Sequence, residues 1–224
     1  MNIQKPAVSP NEPSATQAAY LLLRKMILTG ELPAGEKLKI ERLRSLLGTG
    51  ASPVREALSL LTSDMLVERI DQRGFRAAPA SLKNFQEILS LRCTMEDMAL
   101  RQSIERATAE WEEELVLAHH RMQKTNRQDD VQGFEEAHKA FHMQLLINAD
   151  APVLLRFCSQ LYDLNIRYRF LAAKGGDYGK RDTAAEHRSI LDAAVRGDAQ
   201  AAAVALQEHY KQTGKYLEEA LVAL

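Results

Sequence analysis

Apolar residues recur along this chain at helical spacing almost from end to end. Between Ala15 and Thr29, the positions Ala19, Leu22, Leu23, Met26 and Ile27 keep a helix period. Gly30 ends that run ahead of a turn at Leu32-Pro33-Ala34-Gly35. A shorter helix over 39–47 turns Ile40, Leu43, Leu46 and Leu47 inward and breaks at Gly48-Thr49-Gly50. A third helix is expected from Ser52, with Ser52 as its N-cap and Pro53 in the first turn, where a missing N–H costs nothing. Val54, Ala57, Leu58 and Leu61 form its buried stripe. The period then changes: 66–70 reads as a short strand, 71–74 as a hairpin tip and 75–78 as the partner strand, closed by Pro79.

From Ser81 onward the pattern is helical again, over roughly 82–107, 110–127, 131–147, 151–172, 180–196 and 198–221. Residues 174–179 read as a loop, and Asp198 is placed as an N-cap. Nothing after Phe75 reads as a strand. The expected fold is mainly α: an N-terminal winged helix-turn-helix over 15–79, then an all-helical antiparallel bundle over 80–224. Residues 1–14, with Pro6, Pro10 and Pro13, read as a flexible arm.

Composition sharpens this only a little. The chain has 224 residues, 46% of them hydrophobic, and a net charge of -1. Residues 1–79 carry 11 Lys+Arg against 8 Asp+Glu, while the rest carries 18 against 22, a mildly basic front on an acidic back. Cys93 and Cys158 both sit in helical apolar patterns and read as buried thiols, not as a disulfide framework. No signal peptide and no membrane-spanning run is visible, so a cytoplasmic protein without a membrane partner is expected.

Two short helices joined by Gly48-Thr49-Gly50 have helix-turn-helix spacing. Ser52, Arg55, Ser59 and Thr62 lie off the core stripe of the second helix, where a guanidinium reaches a guanine edge or a phosphate. Arg73 and Arg76 flank the hairpin tip and Gly74 serves its tight turn. On these residues alone, a protein-interaction module and a DNA reader both remain open. The runs Leu32-Pro33-Ala34-Gly35-Glu36-Lys37-Leu38, Ser52-Pro53-Val54-Arg55-Glu56-Ala57-Leu58 and Arg73-Gly74-Phe75 resemble the GntR family winged helix. The resemblance implies that Arg55 contacts operator DNA and that Gly74 approaches the minor groove. Gly50, Ala51 and Glu41 stand where relatives often carry DNA-contacting side chains, which shifts weight onto Arg44, Ser52, Arg55 and Ser59, with Arg73 at the wing.

Six histidines are present. His138 and His142 stand four apart beside the inward stripe Phe134, Ala137, Phe141 and Leu145, while His187 and His209 lie in the last two helices. Converging imidazoles suit Zn²⁺, or Ni²⁺ in an octahedral set, yet on the spacing alone satisfied core histidines are the reading to prefer. Lys139-Ala140-Phe141 between the first pair lacks the glutamate base of a metalloprotease. Residues 82–215 resemble the all-helical FCD ligand-binding domain of the FadR-type branch, through Leu91-Arg92 with Glu96, Phe141-His142, Glu186-His187, Gly197-Asp198 and His209. That resemblance implies metal ligands at His138, His142, His187 and His209. At His138 the family commonly has Asp, so His138 either completes a four-histidine site or stands off the metal and donates to a ligand.

The same resemblance implies a small carboxylate effector, with Arg92 near the pocket and Arg167 and Arg169 supplying cations from the fourth bundle helix. Arg92 paired with Glu96 in a purely structural role is the other reading. Leu161-Tyr162-Asp163 and Arg167-Tyr168-Arg169-Phe170 look similar to the carbon-starvation-induced regulator group, whose ligand is glutarate. The implied function is a homodimeric regulator on palindromic double-stranded operator DNA, repressing until the carboxylate binds. Activation uses the same parts, and a metal-dependent enzyme acting on a small organic acid is the competing class.

Overall fold

The computed structural model describes residues 13–126, 129–173 and 182–222. The expected arm over 1–14 lies almost wholly outside them, and the expected loop over 174–179 wholly so. The chain divides into two compact units, Met1–Pro79 and Ala80–Leu224.

In the first unit, α1 (Ala15–Leu28), α2 (Ile40–Leu47) and α3 (Ala51–Ser63) pack around Leu23, Ile27, Leu43, Leu58 and Leu61. Ser14 caps α1 by accepting from the Gln17 amide at 3.1 Å. Two hydrogen bonds tie α1 to α3 and its end: Thr16 donates to Glu56 at 2.7 Å, and Tyr20 donates to Asp64 at 2.7 Å. The hairpin β2 (Val67–Ile70) and β3 (Gly74–Ala77) pairs Ile70 with Gly74 across its tip. Gly74, at φ +92°, holds a conformation that L side chains seldom adopt. A two-residue strand, β1 (Lys37–Leu38), adds to β3, giving the order β1-β3-β2.

Three expectations need correction. Leu46 is 53% exposed: α2 has only two turns, and Leu43 fills the contact with the neighbouring helix. Leu22 of α1 is likewise exposed. The third helix begins at Ala51, with Gly50 in the extended N-cap position and no side-chain cap, so Ser52 is not the cap. Its hydroxyl points along the helix to Glu56 at 3.4 Å. Pro53 still falls in the first turn, where its missing donor has no partner to lose.

The second unit is all-helical among the described residues: α4 (Leu82–Glu105), α5 (Ala109–Lys124), α6 (Val131–Leu146), a 3₁₀ turn (Ile147–Ala149), α7 (Pro152–Ala173), α8 (Thr183–Val195) and α9 (Ala199–Val222). The starts of α4, α5, α6, α8 and α9 are set by Ser81, Thr108, Asp130, Asp182 and Asp198, each accepting from a first-turn amide. The core runs through Leu100, Trp111, Leu115, Phe141, Leu145, Ile190 and Leu206. Cys158 is buried and Cys93 half-buried, both as free thiols.

Gly48 ends α2 at φ +60°, and an added Cβ there meets nothing within 4 Å. Gly48→Ala is therefore a pure backbone perturbation, expected to cost about 1 kcal/mol. Urea denaturation of the full chain, followed by tryptophan-independent far-UV signal, checks it.

Candidate metal centre and nucleic-acid interface

The helix stripe that buries Phe141 and Leu145 carries His138 and His142 inward with it. His187 on α8 and His209 on α9 meet them, and all four rings are buried. Their four ligand nitrogens lie within 4.8 Å of one another. His138 Nε2 stands 3.0 Å from His187 Nε2 and 3.3 Å from His142 Nε2. Those spacings match nitrogens gathered roughly 2.0–2.1 Å from one cation.

The partners on the outer ring nitrogens fix which nitrogen keeps its lone pair. Tyr210 donates its hydroxyl proton to the Glu96 carboxylate, so its oxygen accepts from His142 Nδ1–H at 2.9 Å. His209 Nδ1 donates to Glu186 Oε2 at 2.7 Å. In a neutral ring, either arrangement puts the proton on Nδ1 and leaves the Nε2 lone pair to the cluster. Burial first, then the positive neighbours Arg169 for His138 and the other imidazoles for His142, hold both rings far below the ordinary histidine range. Neutral imidazoles backed by carboxylate or phenol are the donor set of a borderline d-block cation. The residues fit such a group.

The three arginines expected to meet an effector have different settings. Arg92 is buried and gives Nε to Glu96 at 2.7 Å and Nη1 to Asn165 at 3.1 Å. Its cation lies over the Tyr210 and Tyr162 rings at 4.2 and 4.9 Å. Burial alone would depress its pKa; the Glu96 carboxylate, Tyr210 and Tyr162 together outweigh that and raise it. Arg169 donates Nη1 to His138 Nδ1 at 3.0 Å and forms an ion pair, without hydrogen-bond geometry, between Nη2 and Glu135 at 3.1 Å. The Tyr162 hydroxyl meets the same His138 nitrogen. Arg167, two residues away and on the far side of the same helix, is buried, and burial lowers its pKa. Sequence reasoning missed Tyr162, Tyr210 and Asn165 as partners, because each acts across 24 to 73 positions of chain. His119 packs edge-on against Phe141 outside the four-histidine group.

In the first unit, Arg44, Ser52, Arg55, Ser59, Arg73 and Gly74 are all exposed. Arg44 pairs with Glu41 at 2.9 Å, and Ser59 donates to the Arg55 carbonyl at 2.9 Å. Arg76, named with Arg73 at the wing, is half-buried and pairs with Glu68 at 2.5 Å, so it stiffens the hairpin. The α3 start has no side-chain cap, which leaves its first amides to an outside acceptor.

The chain matches the model of bacterial regulatory proteins of the gntR family over residues 15–76 and the FCD domain over residues 87–212. An uncharacterized HTH-type transcriptional regulator, BphR of Paraburkholderia xenovorans, is 35% identical over 93% of this chain and 87% of its own length. The HTH-type transcriptional repressor GlaR of Escherichia coli is 32% identical over 68% of this chain and 71% of its own. Among solved structures, Escherichia coli McbR/YncC superposes with a TM-score of 0.80 at 21% identity, covering 93% of this chain and 99% of that one. At that identity the likeness speaks for the fold alone.

The buried histidines also set a pH dependence. With metal stripped, folded His138 and His142 resist protonation, while in the unfolded chain they take it up near pH 6.5. Stability is level above about pH 6.5 and falls as pH drops below it, until the depressed folded values are reached. Urea midpoints of chelator-treated protein are expected to fall between about pH 7.5 and pH 5.5, and His142→Gln to flatten that slope.

Proposed function

Because this chain belongs to the GntR family of bacterial regulatory proteins and carries an FCD domain, we propose that it is a transcriptional repressor released by a small carboxylate bound beside a metal ion. The observation that carries the reading is how the polar side chains divide. In the first unit Arg44, Arg55 and Arg73 stand exposed on a helix-turn-helix and its wing. In the second, Arg92, Glu96, Arg169 and four histidines are buried around one cluster. Exposed cations suit a polyanion; buried, mutually paired ones suit a small ligand.

In this reading α3 enters the major groove, with Arg55 at a guanine edge or phosphate, Arg44, Ser52 and Ser59 beside it, and Arg73 and Gly74 at the adjacent groove. His138, His142, His187 and His209 would hold Zn²⁺ or Ni²⁺, which would supply a Lewis-acidic site for a carboxylate. Arg92, Arg167 and Arg169 are the candidate partners of the effector, and glutarate is the proposed acid. A homodimer presents two recognition helices to a palindromic operator. The neighbouring helices α4 and α7 support it by leaving Leu91, Met98, Val153 and Phe157 exposed. A protein of this kind works in the cytoplasm, on the chromosome; among the described residues no helix is long and apolar enough to cross a membrane. The matches are to transcription regulators, not enzymes.

Fluorescence anisotropy with a duplex from the gene's own upstream region tests the reading. Tight, steeply salt-dependent binding is expected for the wild type, and roughly a tenfold or greater loss for Arg55→Ala. Glutarate with Zn²⁺ is expected to release the duplex, and His187→Ala/His209→Ala to abolish both stoichiometric metal and release. Affinity equal to that for a scrambled duplex overturns DNA regulation; release without metal overturns the metal's part.

A further inference from the structure

The hydrogen bond between Arg169 and His138 has a consequence for the cluster. A guanidinium has N–H donors and no acceptor. Arg169 Nη1, 3.0 Å from His138 Nδ1, therefore makes that nitrogen the acceptor. A neutral ring then carries its single proton on Nε2. Yet Nε2 is the atom that faces His187 at 3.0 Å and His142 at 3.3 Å, in the middle of the cluster. A nitrogen that holds a proton has no lone pair for a cation. His142 and His209 are set the other way round, with Nδ1–H spent on Tyr210 and Glu186. His138 alone of these three serves either Arg169 or a metal, never both.

We propose that a divalent cation and Arg169 exclude each other at His138, so that loading the cluster releases one N–H edge of Arg169 to become the second anchor of the carboxylate effector. This rests on the metal-and-carboxylate reading above and adds an order of events to it. The ring stays neutral throughout: one proton leaves Nε2 and one arrives on Nδ1, by exchange with water. Tyr162, whose hydroxyl already meets Nδ1, then accepts from it. The new Nδ1–H faces the Arg169 N–H head-on, and the guanidinium edge gives way. Arg169 is not lost from the site, because Nη2 stays on Glu135 at 3.1 Å. One prong of its fork is held and the other is freed. The metal thus prepares a cationic edge that the metal-free protein keeps occupied, and the ligand class that profits is a small acid with a carboxylate beyond the one on the cation.

Histidine ring ¹⁵N–¹H spectra of the full chain, chelator-stripped and then Zn²⁺-loaded, test this, with His138→Gln assigning the His138 signals. The expected result is the Nε2–H tautomer at His138 in the stripped protein and the Nδ1–H tautomer after loading. An unchanged His138 tautomer, while His142 and His209 respond to Zn²⁺, overturns the inference alone. No response at any of the four rings overturns the metal reading and the inference with it. Glutarate calorimetry on Zn²⁺-loaded protein tests the second half: Arg169→Gln is expected to weaken binding about tenfold or more. The double variant Glu135→Gln/Arg169→Gln, which removes both members of that ion pair, is expected to lose as much. Equal glutarate affinity in wild type and the double variant overturns the role of Arg169.

Discussion

Burying four imidazoles together, with His138 and His142 kept uncharged, is the constraint on which the second unit depends. These two rings must leave water without protonating on the way. The structure meets this with partners that dictate where each proton sits. Tyr210 relays His142 to Glu96, and Glu186 takes His209 directly. Glu96 in turn needs a cation, which Arg92 supplies from one helical turn away. The Arg92–Glu96 pair is thus no ordinary i,i+4 surface bridge. Both members are buried, and loss of either leaves a charge whose burial costs about 3–5 kcal/mol.

The parts of this arrangement that local pattern can encode were legible in the sequence. Phe134, Ala137, Phe141 and Leu145 mark one face of α6, and a helix that buries them carries His138 and His142 inward. The helix order and the hairpin follow from the change of period at Leu66 and from the glycines at 48 and 74. What escaped has no local signal. A two-residue strand such as β1 has no period to detect, and its partners on β3, Arg76 and Phe75, lie far along the chain. Leu46 keeps the helical spacing, yet a helix of 8 residues offers one contact ridge, and Leu43 takes it. Ser52 has good capping chemistry, but Gly50 already occupies the extended position. The resemblance located the four histidines together; only the fold reveals that Tyr162 and Tyr210 stand behind them.

The first unit follows the opposite rule. Its functional candidates must stay in water, so rigidity comes from beneath them. Thr16 to Glu56 and Tyr20 to Asp64 pin the middle and the end of α3 to the first half of α1, and Val54, Ala57, Leu58 and Leu61 fill the buried side. The face bearing Arg55 is therefore held by contacts that Arg55 does not make. A recognition surface built this way tolerates changes in its exposed side chains at little cost in stability, whereas the cluster in the second unit tolerates almost none.

The partners of Arg92 and Arg169 separate these two arginines. Arg92 gives its fork to a buried carboxylate and a buried amide and is flanked by two aromatic rings. Withdrawing it toward an effector strands Glu96, and the Tyr210 relay to His142 with it. Arg169 spends one edge on a carboxylate but the other on a neutral ring nitrogen. Both contacts have a charged donor, but only the one with Glu135 sets opposite charges against each other. An incoming carboxylate therefore gains most by displacing that one contact. Between Arg92 and Arg169, Arg169 is the one that a ligand can recruit without withdrawing the cation from Glu96 and the Tyr210 relay behind His142.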